Sequence, residues 1–172
     1  MGLAADLGYA YPRPSRFQRL VQAFAASRVG GALTPRTLVP LDRIVDRLTR
    51  GRVSLPLVLA GLPVLDLVTV GAKSGLPRPT HVIAVPFEDT LALLGTNFGQ
   101  PRTPAWVVNL EHHPQATVGY AGATRPVVAR PAAAAERASI TQQAAAVFAG
   151  AAAYERRAEG ARRVRVFVLE PG

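Results

Sequence analysis

The segment Gly71–Arg78 concentrates residue types that bind anions. It reads Gly-Ala-Lys-Ser-Gly-Leu-Pro-Arg and contains the only lysine of the 172-residue chain. Its two glycines permit a tight backbone and leave amides open to a ligand. Lys73 and Arg78 add positive charge and Ser74 a hydroxyl, which together suit phosphate or carboxylate groups. The spacing predicts an anion-binding turn between two strands; the alternative is a polar hairpin turn with incidental charges.

A second candidate segment runs from Gly95 to Leu110. A predicted strand ends there in a turn rich in glycine and amide side chains, and a helix follows that carries the only tryptophan, Trp106. Turn amides and helix N-termini favour anionic or carbonyl-bearing ligands. The alternative is that Trp106 is a core residue and Asn109 a satisfied helix residue.

Other chemistries find little support in the residue types. The chain has no cysteine, which excludes disulfides, thiolate metal sites and cysteine nucleophiles. His112 and His113 are consecutive, and His81 lies on a strand without a ligand-like partner nearby in the sequence, so we expect no metal site. Neither a Ser-His-Asp arrangement nor a suitable carboxylate pair is visible. If the chain is an enzyme, a cofactor carries the chemistry.

The first 64 residues are predicted to be a helical extension packed on a domain formed by residues 65–172. A basic amphipathic helix follows Ser15, with Phe17, Leu20 and Phe24 on its apolar face. This stripe either packs on the domain or docks on a membrane surface. A second helix is predicted over Pro40–Arg50.

From Asp66 onward the hydrophobic pattern changes to that of strands. Runs of strands with few helices between them predict an α+β fold, with about six mainly antiparallel strands in a barrel and helices outside it. The first three strands in sequence are expected to form a meander. The predicted strands are Leu67–Val70, Thr80–Phe87, Thr90–Thr96, Ala116–Tyr120, Thr124–Arg130 and Val164–Leu169, and the predicted helices are Pro104–His112 and Ala132 to about Arg157.

The net charge of +9 raises the question of a polyanionic partner. The cations are scattered and no nucleic-acid-binding module is legible, so we expect no nucleic acid as partner. A small polyanionic ligand or an anionic membrane explains the charge equally well. The N-terminus shows no secretory signal, and the apolar stretch Val53–Leu65 is too short to span a bilayer. The expected location is cytoplasmic, with peripheral attachment at the inner face of the cell membrane as an option.

Five motifs in order resemble the deazaflavin (F420)-dependent nitroreductase and quinone reductase family of actinobacteria. They are the Gly-x-Lys-Ser-Gly-x-Pro-Arg loop, the Thr-Asn-x-Gly turn, the Pro-Ala-Trp-x-x-Asn-Leu helix, a His-Pro turn and the closing Val-Phe-Val-Leu-Glu-Pro strand. The resemblance covers Leu65–Pro171. It implies the FMN-binding split-barrel type of fold and coenzyme F420 as the ligand, with FMN less expected.

The resemblance also implies a set of site residues. Lys73, Ser74, Gly75 and Arg78 would hold the phosphate and acidic tail of the coenzyme. The ribityl chain and ring would lie along Thr80, His81, Val82, Ile83, Thr96, Asn97 and Gly99, against a wall formed by Pro104, Ala105, Trp106 and Asn109.

By the same resemblance, reduced F420 would give hydride to a quinone, nitroaromatic or similar conjugated acceptor. Phe148, Ala151 and Tyr154 would line the acceptor pocket, and Tyr154 would be the catalytic proton donor because the other two positions lack a hydroxyl. The alternative is a carrier that binds F420, a flavin or a lipid-like ligand without turnover. The sequence leaves a homodimer open.

Overall fold

The computed structural model of the chain describes residues 2–11, 15–27, 61–147, 155–156 and 162–172. Within them, the helices are α1 (Leu3–Leu7), α2 (Arg16–Ala26), α3 (Ala105–His112) and α4 (Ala134–Val147). The strands are β1 (Leu65–Val70), β2 (Pro77–Val82), β3 (Ala84–Phe87), β4 (Thr90–Leu94), β5 (Gln115–Tyr120), β6 (Ala123–Pro131) and β7 (Val166–Pro171). The predicted α+β class is confirmed, with seven strands rather than about six.

The seven strands form one antiparallel sheet in the order β2-β1-β5-β6-β7-β4-β3. β2 and β3 occupy its two edges, yet only Ile83 separates them in sequence. One residue spans about 3.5 Å, so the sheet curls until its two edges meet at Ile83. The curled sheet is a half-barrel, which confirms the split-barrel expectation.

This corner corrects the predicted strand Thr80–Phe87. The run forms two strands, and the predicted meander is wrong because β2 pairs with β1 whereas β3 pairs with β4. The apolar pattern continues across Ile83, so a period-two signal cannot reveal the break.

Local turn chemistry explains the elements that were predicted correctly. Ala121 and Gly122 have φ angles of 49° and 90°, as a two-residue turn between β5 and β6 requires. Helix α3 begins directly after Pro104, which is the N-cap with an extended ψ of 143° and has no amide hydrogen to leave unpaired at the helix start. These two elements confirm the predicted hairpin and the predicted short helix.

The interior of the half-barrel is filled by inward-facing side chains of β1, β4, β5, β6 and β7 together with residues of α1 and α3. Leu67, Leu93 and Phe167 are among its fully buried members. A second cluster lies on the other face of β3, β4 and β7, where Ile140 and Ala144 of α4 are buried. β7 therefore contacts apolar layers on both faces, and α4 packs outside the half-barrel.

Arg130 of β6 fixes the start of α4. Its guanidinium donates two hydrogen bonds of 2.7 Å to the carboxylate of Glu136 and one of 2.6 Å to Glu170 of β7. These bonds from Arg130, with a further one from the Ala133 amide, lower the pKa of Glu136 to about 2. The predicted helix from Ala132 to about Arg157 is thus observed over Ala134–Val147, and much of its C-terminal part lies outside the described residues.

The N-terminal segment closes the interior in a way that the sequence did not predict. Leu3 and Leu7 of α1 are buried in the main core, and α1 contacts β4 and β6. Tyr9 is 5% exposed, and its hydroxyl accepts a hydrogen bond of 3.0 Å from the Ala84 amide and lies 3.1 Å from the carbonyl of Pro63. The hydroxyl therefore holds the first residue of β3, next to the Ile83 corner.

Helix α2 exposes the apolar stripe that was expected either to pack on the domain or to dock elsewhere. Its start is fixed by Ser15, whose hydroxyl accepts from the Gln18 amide. Phe17, Leu20 and Phe24 are 64%, 70% and 55% exposed, so the stripe does not pack on the half-barrel. The predicted helix Pro40–Arg50 lies outside the described residues, and the division at residue 64 stays a prediction.

We expect Tyr9→Phe to lower the free energy of unfolding by about 1–3 kcal/mol, because the buried amide of Ala84 loses its acceptor. Urea unfolding followed by far-UV circular dichroism measures the change. Tyr11→Phe is the matched control. Its hydroxyl donates to the Ala84 carbonyl at 2.7 Å, which Tyr9 also approaches, so its loss costs less. Equal losses in the two variants would contradict the role given to Tyr9.

Candidate functional site

The turn between β1 and β2 is closed by its own backbone. The Gly71 amide donates to the Leu76 carbonyl at 2.9 Å, and the Gly75 amide donates to the Gly71 carbonyl at 2.8 Å. Gly75 has a φ of +64°, which favours glycine. A Cβ at Gly71 would lie 2.5 Å from the Ser74 hydroxyl and would displace it from its present position. The two glycines predicted to shape this turn therefore have distinct steric roles.

The polar side chains of the turn and of the first residues of β2, where Arg78 lies, face solvent. Lys73, Ser74 and Arg78 are exposed, and the Arg78 guanidinium donates to the Ser74 hydroxyl at 3.2 Å. Neither cation has a carboxylate partner among the described residues. The structure thus brings Ser74 and Arg78 together and leaves two positive charges available to an anion at one turn.

Asn109 of α3 joins this turn to the helix. Its side-chain oxygen accepts from the Ala72 amide at 3.0 Å, and its side-chain nitrogen donates to the Thr69 hydroxyl at 2.9 Å. The Thr69 hydroxyl lies 3.4 Å from the Arg78 carbonyl, to which it donates. Asn109 and Thr69 are 8% and 1% exposed. These buried hydrogen bonds fix both arms of the turn that carries Lys73, which we call the cation-bearing turn. Asn109, predicted to lie in the wall of the coenzyme site, therefore also holds this turn in place.

The second predicted segment forms a compact turn after β4. Asn97 and Gly99 have φ angles of +48° and +78°, and the Asn97 side chain donates to the Arg102 carbonyl at 2.9 Å. The Gly99 amide donates to the Thr96 carbonyl at 2.9 Å. Thr96, Asn97 and Gly99 are half-buried. The turn is therefore ordered by its own backbone and by one amide side chain.

Helix α3 contacts both turns. A Cβ at Gly95 would lie 2.7 Å from the Val107 side chain, so the second turn approaches α3 as closely as glycine allows. Trp106 is half-buried beside the core, with its ring centroid 6.2 Å from that of Phe167. At the start of the helix, Pro104 is half-buried and Ala105 exposed. The two segments found separately in the sequence are thus connected through one helix.

Strand β2 contains three of the four residues predicted along the ring, and the fourth, Ile83, follows its end. Thr80 is half-buried and Val82 is buried in the core. Because side chains alternate along a strand, His81 points to the other face, and Ile83 is the corner residue. These four residues therefore cannot all present side chains to one groove.

His81 has a carboxylate neighbour that its own stretch of sequence does not show. Its Nδ1 atom lies 2.8 Å from Asp66 Oδ1 on the neighbouring strand β1. Only the strand register, which no local motif reveals, brings the two residues together.

An arginine outside the sequence motifs lies beside the second turn. Arg162 is half-buried, and its Nη2 atom donates to the Gly95 carbonyl at 2.7 Å, at the entrance to the second turn. No motif singles it out among the many arginines of the chain. The predicted acceptor residues Phe148, Ala151 and Tyr154 lie outside the described residues.

Three further features of the described residues concern other kinds of site. A shallow groove of about 130 Å³ on the sheet includes Asp66, Thr117 and Tyr120 in its lining, and none of the predicted site residues lines it. The same residues contain no group of three or more histidine or acidic side chains placed to hold a metal ion. They also contain no helix that is both long and apolar enough to cross a membrane.

Comparison with known proteins identifies similar chains. The family model described as F420H(2)-dependent quinone reductase matches residues 42–171. A solved structure described as an F420-H2 dependent reductase (FDR-A) is 27% identical, with a TM-score of 0.57, and the alignment covers 63% of this chain and 94% of that one.

Two more distant structures share the fold. One is described only as a domain-swapped dimer, is 24% identical with a TM-score of 0.58, and is aligned over 76% of this chain and 99% of its own. The other is the heme storage protein HutZ from Vibrio cholerae, 16% identical with a TM-score of 0.50, aligned over 77% and 90% of the two chains. A heme protein with this fold illustrates that the fold alone does not select a cofactor.

We expect Asn109→Ala to lower the free energy of unfolding by about 1–3 kcal/mol, since it leaves the Ala72 amide and the Thr69 hydroxyl without their partner. It should also speed hydrogen exchange at the Ala72 amide, measured by NMR. His112→Ala, at an exposed position of the same helix, is the control and should change neither. An unchanged exchange rate at the Ala72 amide in Asn109→Ala would contradict the role given to Asn109 in holding the turn.

Proposed function

The chain belongs to the F420H2-dependent quinone reductase family, and from that premise we propose that the two turns and helix α3 bind the coenzyme of a reductase for quinone-like acceptors. The family match supports an oxidoreductase that uses reduced F420. The residues that carry the activity are our assignment. The observation on which the assignment rests is the exposed pair of cations on a turn that Asn109 fixes to α3.

The first turn fits the phosphate and carboxylate groups of such a coenzyme. Lys73 and Arg78 supply charge without competing carboxylates among the described residues, and Ser74 supplies a hydroxyl that Arg78 already orients. A Cβ at Gly75 would contact nothing within 4 Å, so the tip of the turn is open to a ligand. Charge-assisted hydrogen bonds to phosphate are about twice as strong as neutral ones. We therefore assign the acidic tail to this turn.

The second turn and the start of α3 are assigned to the ribityl chain and ring. The half-buried residues Thr96, Asn97, Gly99 and Pro104 lie where α3 links them to the cation-bearing turn. Along β2 and the corner that follows it, Thr80, His81, Val82 and Ile83 would contribute backbone rather than a row of side chains, because side chains alternate along a strand. Trp106 then serves as packing behind the wall, against Phe167.

The bound coenzyme supplies the hydride, and the protein supplies orientation, exclusion of water and a proton. Holding donor and acceptor in contact geometry contributes much of the rate acceleration in such enzymes. We assign proton donation to Tyr154, and we assign Phe148 and Ala151 to a wider, more apolar acceptor pocket beside it. A quinone is the acceptor class that the family match supports; nitroaromatic compounds remain part of the proposal.

A carrier that binds F420 without turnover is the second candidate. It is favoured by the absence of hydroxyls at Phe148 and Ala151. Oxidation of reduced F420 by a menaquinone analogue in the presence of the protein separates the two candidates, because a carrier binds the coenzyme and leaves it reduced.

Helix α2 supports peripheral attachment to a cell membrane from the cytoplasmic side. Phe17, Leu20 and Phe24 form an exposed apolar stripe, flanked by Arg16 and Arg19, and the helix contains no acidic residue. Such helices insert their apolar face at the headgroup boundary of anionic bilayers. A membrane position would also bring the site to a quinone dissolved in lipid. A homodimer is proposed only by analogy with the domain-swapped structure.

The assignment of the coenzyme predicts that the protein binds F420 and prefers it to FMN. Titration of the protein with each compound, followed by Trp106 fluorescence, compares their dissociation constants. Arg78→Ala should weaken F420 binding by about tenfold or more, corresponding to the loss of about 1.5–3 kcal/mol from a charge-assisted contact.

Arg125→Ala is the matched control, because it removes the same charge from an exposed arginine whose one hydrogen bond among the described residues is to the neighbouring Thr124 carbonyl. The Arg125→Ala variant should bind F420 with the same affinity as the unchanged protein. Equal affinity in Arg78→Ala would remove Arg78 from the site, and tighter binding of FMN would overturn the coenzyme assignment.

The attachment proposal predicts binding to anionic vesicles. Replacing Phe17 and Leu20 together by serine should reduce partitioning by about tenfold or more, because a buried large apolar side chain contributes roughly 1.5–3 kcal/mol. Co-sedimentation with phosphatidylglycerol vesicles measures the effect, and neutral vesicles and high salt should both weaken binding. Vesicle binding that is unaffected by the double substitution would exclude α2 as the anchor.

A further inference from the structure

Arg162 carries a half-buried charge that no carboxylate among the described residues neutralises. Its Nη2 atom donates to the Gly95 carbonyl, whereas Nε and Nη1 are buried without a hydrogen-bond partner. Desolvation lowers the pKa of the guanidinium. Leaving a buried donor unpaired costs free energy, and the cost is greater for a charged group than for a neutral one. Such an arrangement needs an explanation beyond packing.

The other half-buried arginines of the described residues are paired with carboxylates. Arg130 bonds to Glu136 and Glu170, and Arg137 bonds to Glu155. Even the exposed Arg165 has Glu111 at 2.6 Å. Arg162 has only a neutral carbonyl, so within the described part of the chain it is the half-buried cation that lacks an anion. An anion that the protein does not contain would complete the arrangement.

The place of Arg162 indicates which ligand brings that anion. Gly95 begins the turn that we assign to the ring of the coenzyme, and Gly95 also touches Val107 of α3. Through its bond to Gly95, the guanidinium lies at the ring end of the proposed site. The tail of the coenzyme is assigned to Lys73 and Arg78. A further cation at the ring end must therefore interact with a different part of the ligand.

We infer that Arg162 binds a ring carbonyl oxygen that bears negative charge in the reduced coenzyme or in the reduced acceptor. This inference rests on the proposed function. A hydride carries two electrons and one proton, so a neutral quinone that gains one becomes a hydroquinone monoanion with its charge on oxygen, and a later proton neutralises it. The reduced deazaflavin likewise delocalises charge onto the carbonyl edge of its ring when it loses a ring proton. A preorganised, desolvated cation stabilises such an oxygen.

The test uses the full chain with Arg162→Met, Arg162→Lys and the control Arg163→Met. Arg163 is the exposed neighbour, so its replacement removes the same charge at nearly the same place. Dissociation constants for oxidised and for reduced F420 are measured anaerobically by quenching of Trp106, the only tryptophan in the chain. Turnover with a menaquinone analogue is then measured at saturating coenzyme. Thermal melting checks that each variant folds, and Arg162→Lys keeps the charge if Arg162→Met does not fold.

If the oxygen belongs to the coenzyme, Arg162→Met should weaken binding of the reduced form by about tenfold or more and that of the oxidised form by less than about threefold. If it belongs to the acceptor, both dissociation constants should stay within about twofold and kcat should fall by about tenfold or more. Arg162→Lys should recover part of either loss, and Arg163→Met should match the unchanged protein.

Three results would overturn the inference. These are unchanged binding and turnover in Arg162→Met, equal weakening of both redox forms, and the same effect in Arg163→Met. They differ from a failure of the proposed function, in which the unchanged protein itself does not bind F420.

Discussion

The organisation of the site depends on the buried amide of Asn109. One side chain accepts from the backbone of the cation-bearing turn and donates to Thr69 at the end of β1, so a turn, a strand and helix α3 share a single hydrogen-bonded junction. A buried amide is favourable only when its donors and acceptors are satisfied. Any movement of the turn away from α3 would break these bonds, so the positions of Lys73 and Arg78 are tied to the core.

The curled sheet supplies the other constraint. Because Ile83 joins the two edge strands, the sheet closes on that side, and the hydroxyls of Tyr9 and Tyr11 bond to Ala84 immediately beyond the corner. Tyr9 also packs 4.9 Å from the ring of Tyr120 on β5. The N-terminal segment thus braces the part of the half-barrel where the strand order would otherwise leave an edge, and α3 is held against a rigid interior by Val107 and Leu110.

What the sequence predicts well is what local chemistry decides. The turn after β1, the hairpin around Gly122 and the start of α3 each follow from glycine, proline or charge within a few residues. The structure confirms all three, although the first turn ends at Leu76 because β2 begins at Pro77, three residues before the predicted strand. Long-range relations were not predictable in this way. The break at Ile83 interrupts no hydrophobic pattern, the pairing of His81 with Asp66 depends on strand register, and Tyr9 reaches Ala84 across 75 positions. Arg162 was hidden for another reason, since the abundance of arginine leaves no compositional signal and only its burial without a carboxylate distinguishes it.

The positions of the cations in the structure are more informative than the net charge of +9. Some arginines are paired with carboxylates. Arg130 of β6 bonds to Glu136 and so holds α4 to the sheet, and Arg137 of α4 bonds to Glu155. Others, such as Arg16 and Arg19, flank an apolar stripe on an exposed helix. Lys73 and Arg78 stand open at a fixed turn, and Arg162 is enclosed beside Gly95. A coenzyme with an acidic tail and a ring that gains charge on reduction would meet an open pair of cations at one end and an enclosed cation at the other. Solvent screens the half-buried Arg162 less than it screens Lys73 and Arg78. The electrostatic interaction of Arg162 with the ring would therefore change most when the charge of the ring changes.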